Sequence, residues 1–152
     1  IIANTPLSSA TKDVIYPTLS SALVGKDALD KVNILLNFVQ TAFEYEYDDK
    51  VWGYDRAFFA EEVLMYPYCD CEDRTILFTR LVRDLVGLEC AIVCYPGHLA
   101  AAVLFNEDII GDAIIIDNKK YIICDPTYIN SSVGMSMPGL DVSNIRVMQL
   151  SN

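Results

Sequence analysis

The chain has 152 residues, 53% of them hydrophobic, and a formal net charge of -10. That length suits one domain that buries its core without disulfide or metal staples, and the composition excludes a disordered chain. No apolar run approaches the roughly 20 residues of a membrane-spanning helix, and an acid excess of this size argues against nucleic acid as a partner.

Residues 1–25, with Pro6 and Pro17 as breakers, read as an N-terminal extension: an irregular segment plus a short helix packing on the core. The first residue is Ile1 rather than Met. The expectation is therefore a single domain over 1–152 belonging to a larger or processed protein, its compartment unassigned and an extracytoplasmic one left open. Asp27 has the character of an N-cap. Leu29, Val32, Leu35, Leu36, Val39 and Phe43 follow at helical spacing and predict an amphipathic helix over Ala28–Phe43.

Residues 43–68 hold nine of the chain's 16 aromatic residues without a clean period. Most read as loop-rich core, with Trp52 the candidate for lining a cleft. A second helix is predicted from Cys71 to about Val86. Its buried stripe is Ile76, Leu77, Leu81, Val82 and Leu85, Asp70 can cap its start, and Gly87 suits the left-handed position beyond its end. Strands follow at Glu89–Tyr95 and His98–Phe105 around a Pro96-Gly97 turn, then at Ala113–Asp117 and Lys120–Asp125 around Asn118-Lys119. A last strand is expected at Asn144–Leu150. Helices first and antiparallel strands afterwards is the α+β pattern.

Three residues on these elements carry nucleophilic chemistry. Cys71 begins a helix, His98 begins a strand and is the chain's single histidine, and Asp125 ends a strand. A thiol attacks only as its thiolate. The positive end of a helix and a neighbouring imidazolium both favour that form. A carboxylate on the second ring nitrogen would hold the imidazole in one tautomer and orientation.

Residue types alone leave other readings open. Cys71 is also compatible with an inert, half-buried helix cysteine. Cys69, Cys71, Cys94 and His98 are zinc-type ligands, though Cys-x-Cys is not the usual knuckle spacing. A Cys69–Cys71 disulfide would close a strained ring. Five cysteines leave at least one thiol unpaired within a monomer, and Cys90, Cys94 and Cys124 read as small buried hydrophobes.

The run Cys69-Asp70-Cys71-Glu72-Asp73-Arg74-Thr75-Ile76-Leu77 resembles the nucleophile motif of the transglutaminase-like superfamily, in its bacterial and archaeal cysteine protease-like branch. That motif is a Gly-x-Cys-x-Asp pattern entering a helix closed by Arg and Gly, here Arg83 and Gly87-Leu88. Tyr95-Pro96-Gly97-His98-Leu99-Ala100 looks like the family's histidine strand, and Cys124-Asp125-Pro126-Thr127 is similar to its Asp-Pro-Thr signature. The likeness spans roughly residues 28–130. It implies a papain-like, transglutaminase-like α+β core, in which N-terminal helices and the nucleophile helix pack on an antiparallel sheet.

The resemblance also implies acyl transfer at amide bonds of a peptide or protein substrate. Cys71 would be the nucleophile, His98 the base and acid, and Asp125 the orienter. Hydrolysis is preferred over cross-linking because nothing marks a dedicated amine-acceptor site. The Cys71 backbone N–H supplies one oxyanion donor, and Trp52 and Gln40 are the candidates for a second. The mechanism requires no cofactor, and no Asp-x-Asp-x-Asp-Gly calcium loop is present. Cys69 departs from the motif's Gly, which raises a resting disulfide or sulfenamide-like lock on Cys71 as an expectation. The rival reading is a non-catalytic scaffold that binds peptide or glycan. The sequence says nothing of oligomeric state.

Overall fold

Local chemistry sets most element boundaries. A computed structural model describes residues 9–42, 44–45, 68–69 and 71–150. Helix α1 spans Ser9–Leu23 and is longer than the short helix expected, because it runs through Pro17. A proline inside a helix costs about 3 kcal/mol. Burial of Leu19 and Leu23, at about 2 kcal/mol each, offsets that cost. The Tyr16 hydroxyl further ties α1 to the next layer by donating to Asp84 Oδ2 at 2.7 Å.

Helix α2 covers Ala28–Thr41 and starts as the sequence predicts, since Asp27 in an extended conformation accepts from the Asp30 N–H at 2.9 Å. It stops two residues short of Phe43, which lies outside the described residues. Most of the aromatic stretch read as loop-rich core, with its cleft candidate Trp52, lies outside them as well. So do the capping residue Asp70 and the side chain of Cys69.

Helix α3 runs from Cys71 to Leu85, and Gly87 closes it at φ +75° with its N–H on the Val82 carbonyl at 3.0 Å. Of the predicted stripe Ile76, Leu77, Leu81 and Val82 are buried and Leu85 partly so, but buried too are Asp73, Arg74, Thr75, Thr79, Arg80 and Arg83. The reason is position: α3 is the central helix, with α2 on one side and the sheet on the other. Its buried cations are hydrogen-bonded, as burial requires. Arg74 Nη1 donates to the Gln40 carbonyl at 3.0 Å, and Arg80 Nη1 to Asp84 Oδ1 at 3.1 Å.

The strands are β1 (Glu44–Tyr45), β2 (Tyr68–Cys69), β3 (Glu89–Tyr95), β4 (His98–Leu104), β5 (Ala113–Ile116), β6 (Lys119–Cys124) and β7 (Arg146–Gln149). β1 and β2 form a short parallel pair, with Tyr45 opposite Cys69. The other five make an antiparallel sheet in the order β5-β6-β4-β3-β7. Pro96-Gly97 turns β3 into β4, with Gly97 at φ +76° as a Pro-Gly turn demands. The β5–β6 turn is Asp117-Asn118, one residue earlier than expected. Both residues take positive φ, 52° and 65°, the geometry that suits the twist of a two-residue hairpin.

Alternation along the strands divides the core. Cys90, Ile92, Ala101, Val103, Ile122 and Cys124 face the helices, while Ala91, Val93, Ala100, Ala102, Tyr121 and Ile123 form a second cluster on the other face. Fully buried Ala101 lets α3 approach the middle of the sheet closely. Because β4 and β6 are adjacent and antiparallel, the start of one and the end of the other share a rim.

Candidate active site

The shared rim carries His98 and Asp125. Register places Ala101 opposite Cys124, so the first residues of β4 meet the residue that follows β6. His98 Nε2 lies 2.6 Å from Asp125 Oδ2, with side chains 11% and 1% exposed. Such a short contact between nearly dry partners marks a charge-assisted bond.

Asp125 is held by its own loop. Its Oδ1 accepts from the Thr127 N–H (3.0 Å), the Thr127 hydroxyl (3.0 Å) and the Tyr128 N–H (3.2 Å), which leaves Oδ2 for the ring. This is an Asx turn reinforced by a threonine hydroxyl, and Pro126 sits at the position that stops the strand. The loop then folds back: the Gly134 N–H reaches the Ile123 carbonyl at 2.7 Å, and Gly134 accepts from the Asp112 N–H. That return needs glycine at both Gly111 and Gly134, since a Cβ on Gly111 would stand 2.6 Å from the Gly134 Cα.

Cys71 opens α3 against this rim, half-buried and near enough to His98 to act on its ring. Asp125 takes Nε2, so Nδ1 is the ring atom left for the thiol. The bond to Asp125 and then the neighbouring Cys71 thiol outweigh partial burial and raise the His98 pKa from 6.5 to about 9. The imidazolium therefore persists at neutral pH beside the thiol. The Tyr95 ring, tilted 38° with its centroid 6.2 Å away, packs along the imidazole.

The thiols of Cys90, Cys94 and Cys124 are held in their protonated form. Burial pushes Cys90 up to about 12, raises Cys124 well above the ordinary thiol range, and raises half-buried Cys94. Such thiols stay protonated and act as small apolar groups, in line with their expected role.

No protein-family model matches the chain, and no curated protein does. Solved structures do. Legionella pneumophila LapG overlays with a TM-score of 0.55 at 16% identity, over 88% of this chain and 74% of its own. The EGTA-treated form of the same protein overlays with a TM-score of 0.56 at 16% identity, over 88% and 72%. The chain has an α+β fold of the transglutaminase-like kind.

Within that transglutaminase-like fold, the three residues singled out from sequence meet at one rim, and the two oxyanion candidates do not both join them. Trp52 lies outside the described residues. Gln40, 2% exposed, points its Nε2 at the carbonyls of Asp125 (3.1 Å), Tyr128 (3.0 Å) and Ser131 (3.1 Å), so its donors are engaged with the loop that follows Asp125. Of the zinc-type set, Cys94 stands on the helix-facing side of β3 among the charges of Glu72 and Arg146. Among the described residues no three His, Cys, Asp or Glu side chains gather as a metal site.

Gln40, one of the two oxyanion candidates, is tied here into the architecture of the rim. Its carbonyl accepts from Arg74 of α3 while its amide grips the loop after Asp125, so one residue of α2 joins the two. The available signal was modest: a Gln at the end of an otherwise apolar helical stripe, next to Val39.

Proposed function

We propose that the chain is a cysteine-dependent acyl transferase acting on amide bonds, with hydrolysis its main reaction. The observation that carries this reading is the His98–Asp125 contact of 2.6 Å, with the Cys71 thiol beside the same ring. Cys71 acts as nucleophile, His98 as base and acid, and Asp125 as orienter.

The thiolate attacks the amide carbonyl carbon, a C–S bond forms, and the carbonyl oxygen takes the negative charge. The Cys71 backbone N–H, at the positive end of α3, donates to that oxygen. The C–N bond then breaks as the imidazolium passes its proton to the leaving amine, giving a thioester and neutral His98. Water attacks the thioester while His98 takes its proton. The C–S bond breaks, the acid product leaves and the thiolate–imidazolium pair is restored. An amine in place of water gives transamidation by the same steps. Asp125 keeps Nδ1 aimed at sulfur throughout.

The test is the pH dependence of iodoacetamide alkylation, with sites mapped by mass spectrometry. In the wild type, Cys71 alkylates fast well below the ordinary thiol range of roughly pH 8–9, ahead of Cys90, Cys94 and Cys124. His98→Ala abolishes that low-pH reaction. A Cys71 that reacts no faster than an ordinary thiol, or only after unfolding, sinks the reading.

A further inference from the structure

The rim that carries the triad continues past it. In the order β6-β4-β3-β7, Asp125 follows β6, His98 starts β4, Tyr95 ends β3 and Arg146 starts β7. Between the last two strands lies a cavity of about 530 Å³ bounded by Cys94, Tyr95, Pro96, Asn144, Ile145 and Arg146. Tyr95 packs on the His98 ring, and Glu72, next in the chain to Cys71, acts on Cys94. The cavity therefore opens beside the reacting atoms rather than elsewhere on the surface.

We propose that this cavity binds an acidic side chain of the peptide substrate through Arg146. The inference rests on the acyl-transfer reading and adds the substrate class to it. Arg146 is an exposed guanidinium in a chain of net charge -10, and among the described residues it enters no ion pair. The acid nearest to it in the chain is already engaged: Asp141 accepts from the Ser143 N–H and hydroxyl through Oδ1 and from the Asn144 amide through Oδ2. Glu72 borders Cys94 from the helix side and has a partner of its own. The planar fork of Arg146 is thus left facing an open, polar-rimmed space, the geometry that takes a carboxylate in two hydrogen bonds.

Strand spacing fixes the distance. His98 and Arg146 stand two strands apart. At about 4.8 Å per strand that is roughly 10 Å, or about three residues of an extended peptide. The acidic residue accordingly falls two or three positions from the scissile bond.

The experiment separates this subsite from the chemistry by using the full chain with Cys71→Ala, which binds but cannot react. Acetylated, amidated hexapeptides of Ala and Ser carry one Glu, moved through each position, or Gln in the same place. Binding is followed by NMR shifts of residues 143–146. At the right position the Glu peptide binds on the order of fivefold tighter than its Gln twin and moves the Arg146 side-chain signal. Adding Arg146→Ala makes the two peptides equal, and Arg146→Glu transfers the preference to a Lys peptide. Equal binding of Glu and Gln peptides overturns the proposal, as does a Glu preference that survives Arg146→Ala or an absence of binding at millimolar peptide. None of these outcomes bears on Cys71 reactivity, which the alkylation test reads on its own.

Discussion

Asp125-Pro126-Thr127 and Asp141-Val142-Ser143 build nearly the same local structure and come to different ends. In each, Oδ1 of the aspartate accepts from the N–H and the hydroxyl of the residue two ahead. The difference lies in the second oxygen and in burial. Asp141 is exposed, its remaining oxygen takes the Asn144 amide, and its hydrogen bonds to Ser143 hold its carboxyl below the usual range. Asp125 is fully buried beneath the loop that Gln40 grips, and its remaining oxygen takes the only histidine. A short motif sets how a carboxylate points. Whether that carboxylate can tune a base depends on what the fold packs around it, because a charge pair strengthens as water is excluded.

The sharpest test of this contrast substitutes each aspartate in turn. Asp125→Asn is expected to lower turnover by about 10³- to 10⁴-fold, since an amide cannot hold the imidazolium. His98, being the only histidine, gives an unambiguous NMR titration. Its midpoint should fall from about 9 toward 6.5 in Asp125→Asn and stay put in Asp141→Asn. If Asp141→Asn moved it too, burial would not be what distinguishes the two sites.

Next in size is Gln40→Ala, which leaves the Asp125, Tyr128 and Ser131 carbonyls without their shared donor in a buried place. About 3 kcal/mol of stability should be lost in urea unfolding, and low-pH alkylation of Cys71 should slow as the aspartate loop loosens. Gln40→Glu, which brings a carboxylate to the same carbonyls, should be at least as damaging. Normal unfolding of either variant would show that the loop is held by its Asx turn alone.

A smaller, pH-dependent effect follows from His98. Its pKa is higher folded than unfolded, so the pair contributes stability in full below about pH 6.5 and loses it as pH rises through about 9. The contribution is roughly 3 kcal/mol at most. Unfolding at pH 6 and pH 10 should show the wild type losing its advantage over His98→Gln at the higher pH. A constant gap between the two proteins would mean that the pair does not titrate in this window.

Much of this was legible locally. Asp27 capped α2 as its residue type required, Gly87 ended α3, and Pro96-Gly97 turned β3 into β4. Where reading failed, a non-local partner decided. Pro17 reads as a breaker, yet α1 continues because Leu19 and Leu23 find a core to enter. Arg74, Arg80 and Arg83 lie outside the apolar stripe, yet they are buried because the helix lies between α2 and the sheet. The amide of Gln40, an oxyanion candidate, is engaged by three carbonyls from a loop about 90 residues away, partners that no local pattern shows.

The sequence by itself determined the helices, the hairpins and the kind of chemistry available, because side-chain period and turn residues act over a few positions. It also determined that any imidazole chemistry must pass through His98. Only the tertiary structure decided that β6 lies against β4 rather than outside another strand, and that step places Asp125 beside His98 and both beside Cys71. Strand order depends on which faces can be buried together across long separations. The alternating pattern of a single strand does not contain that information.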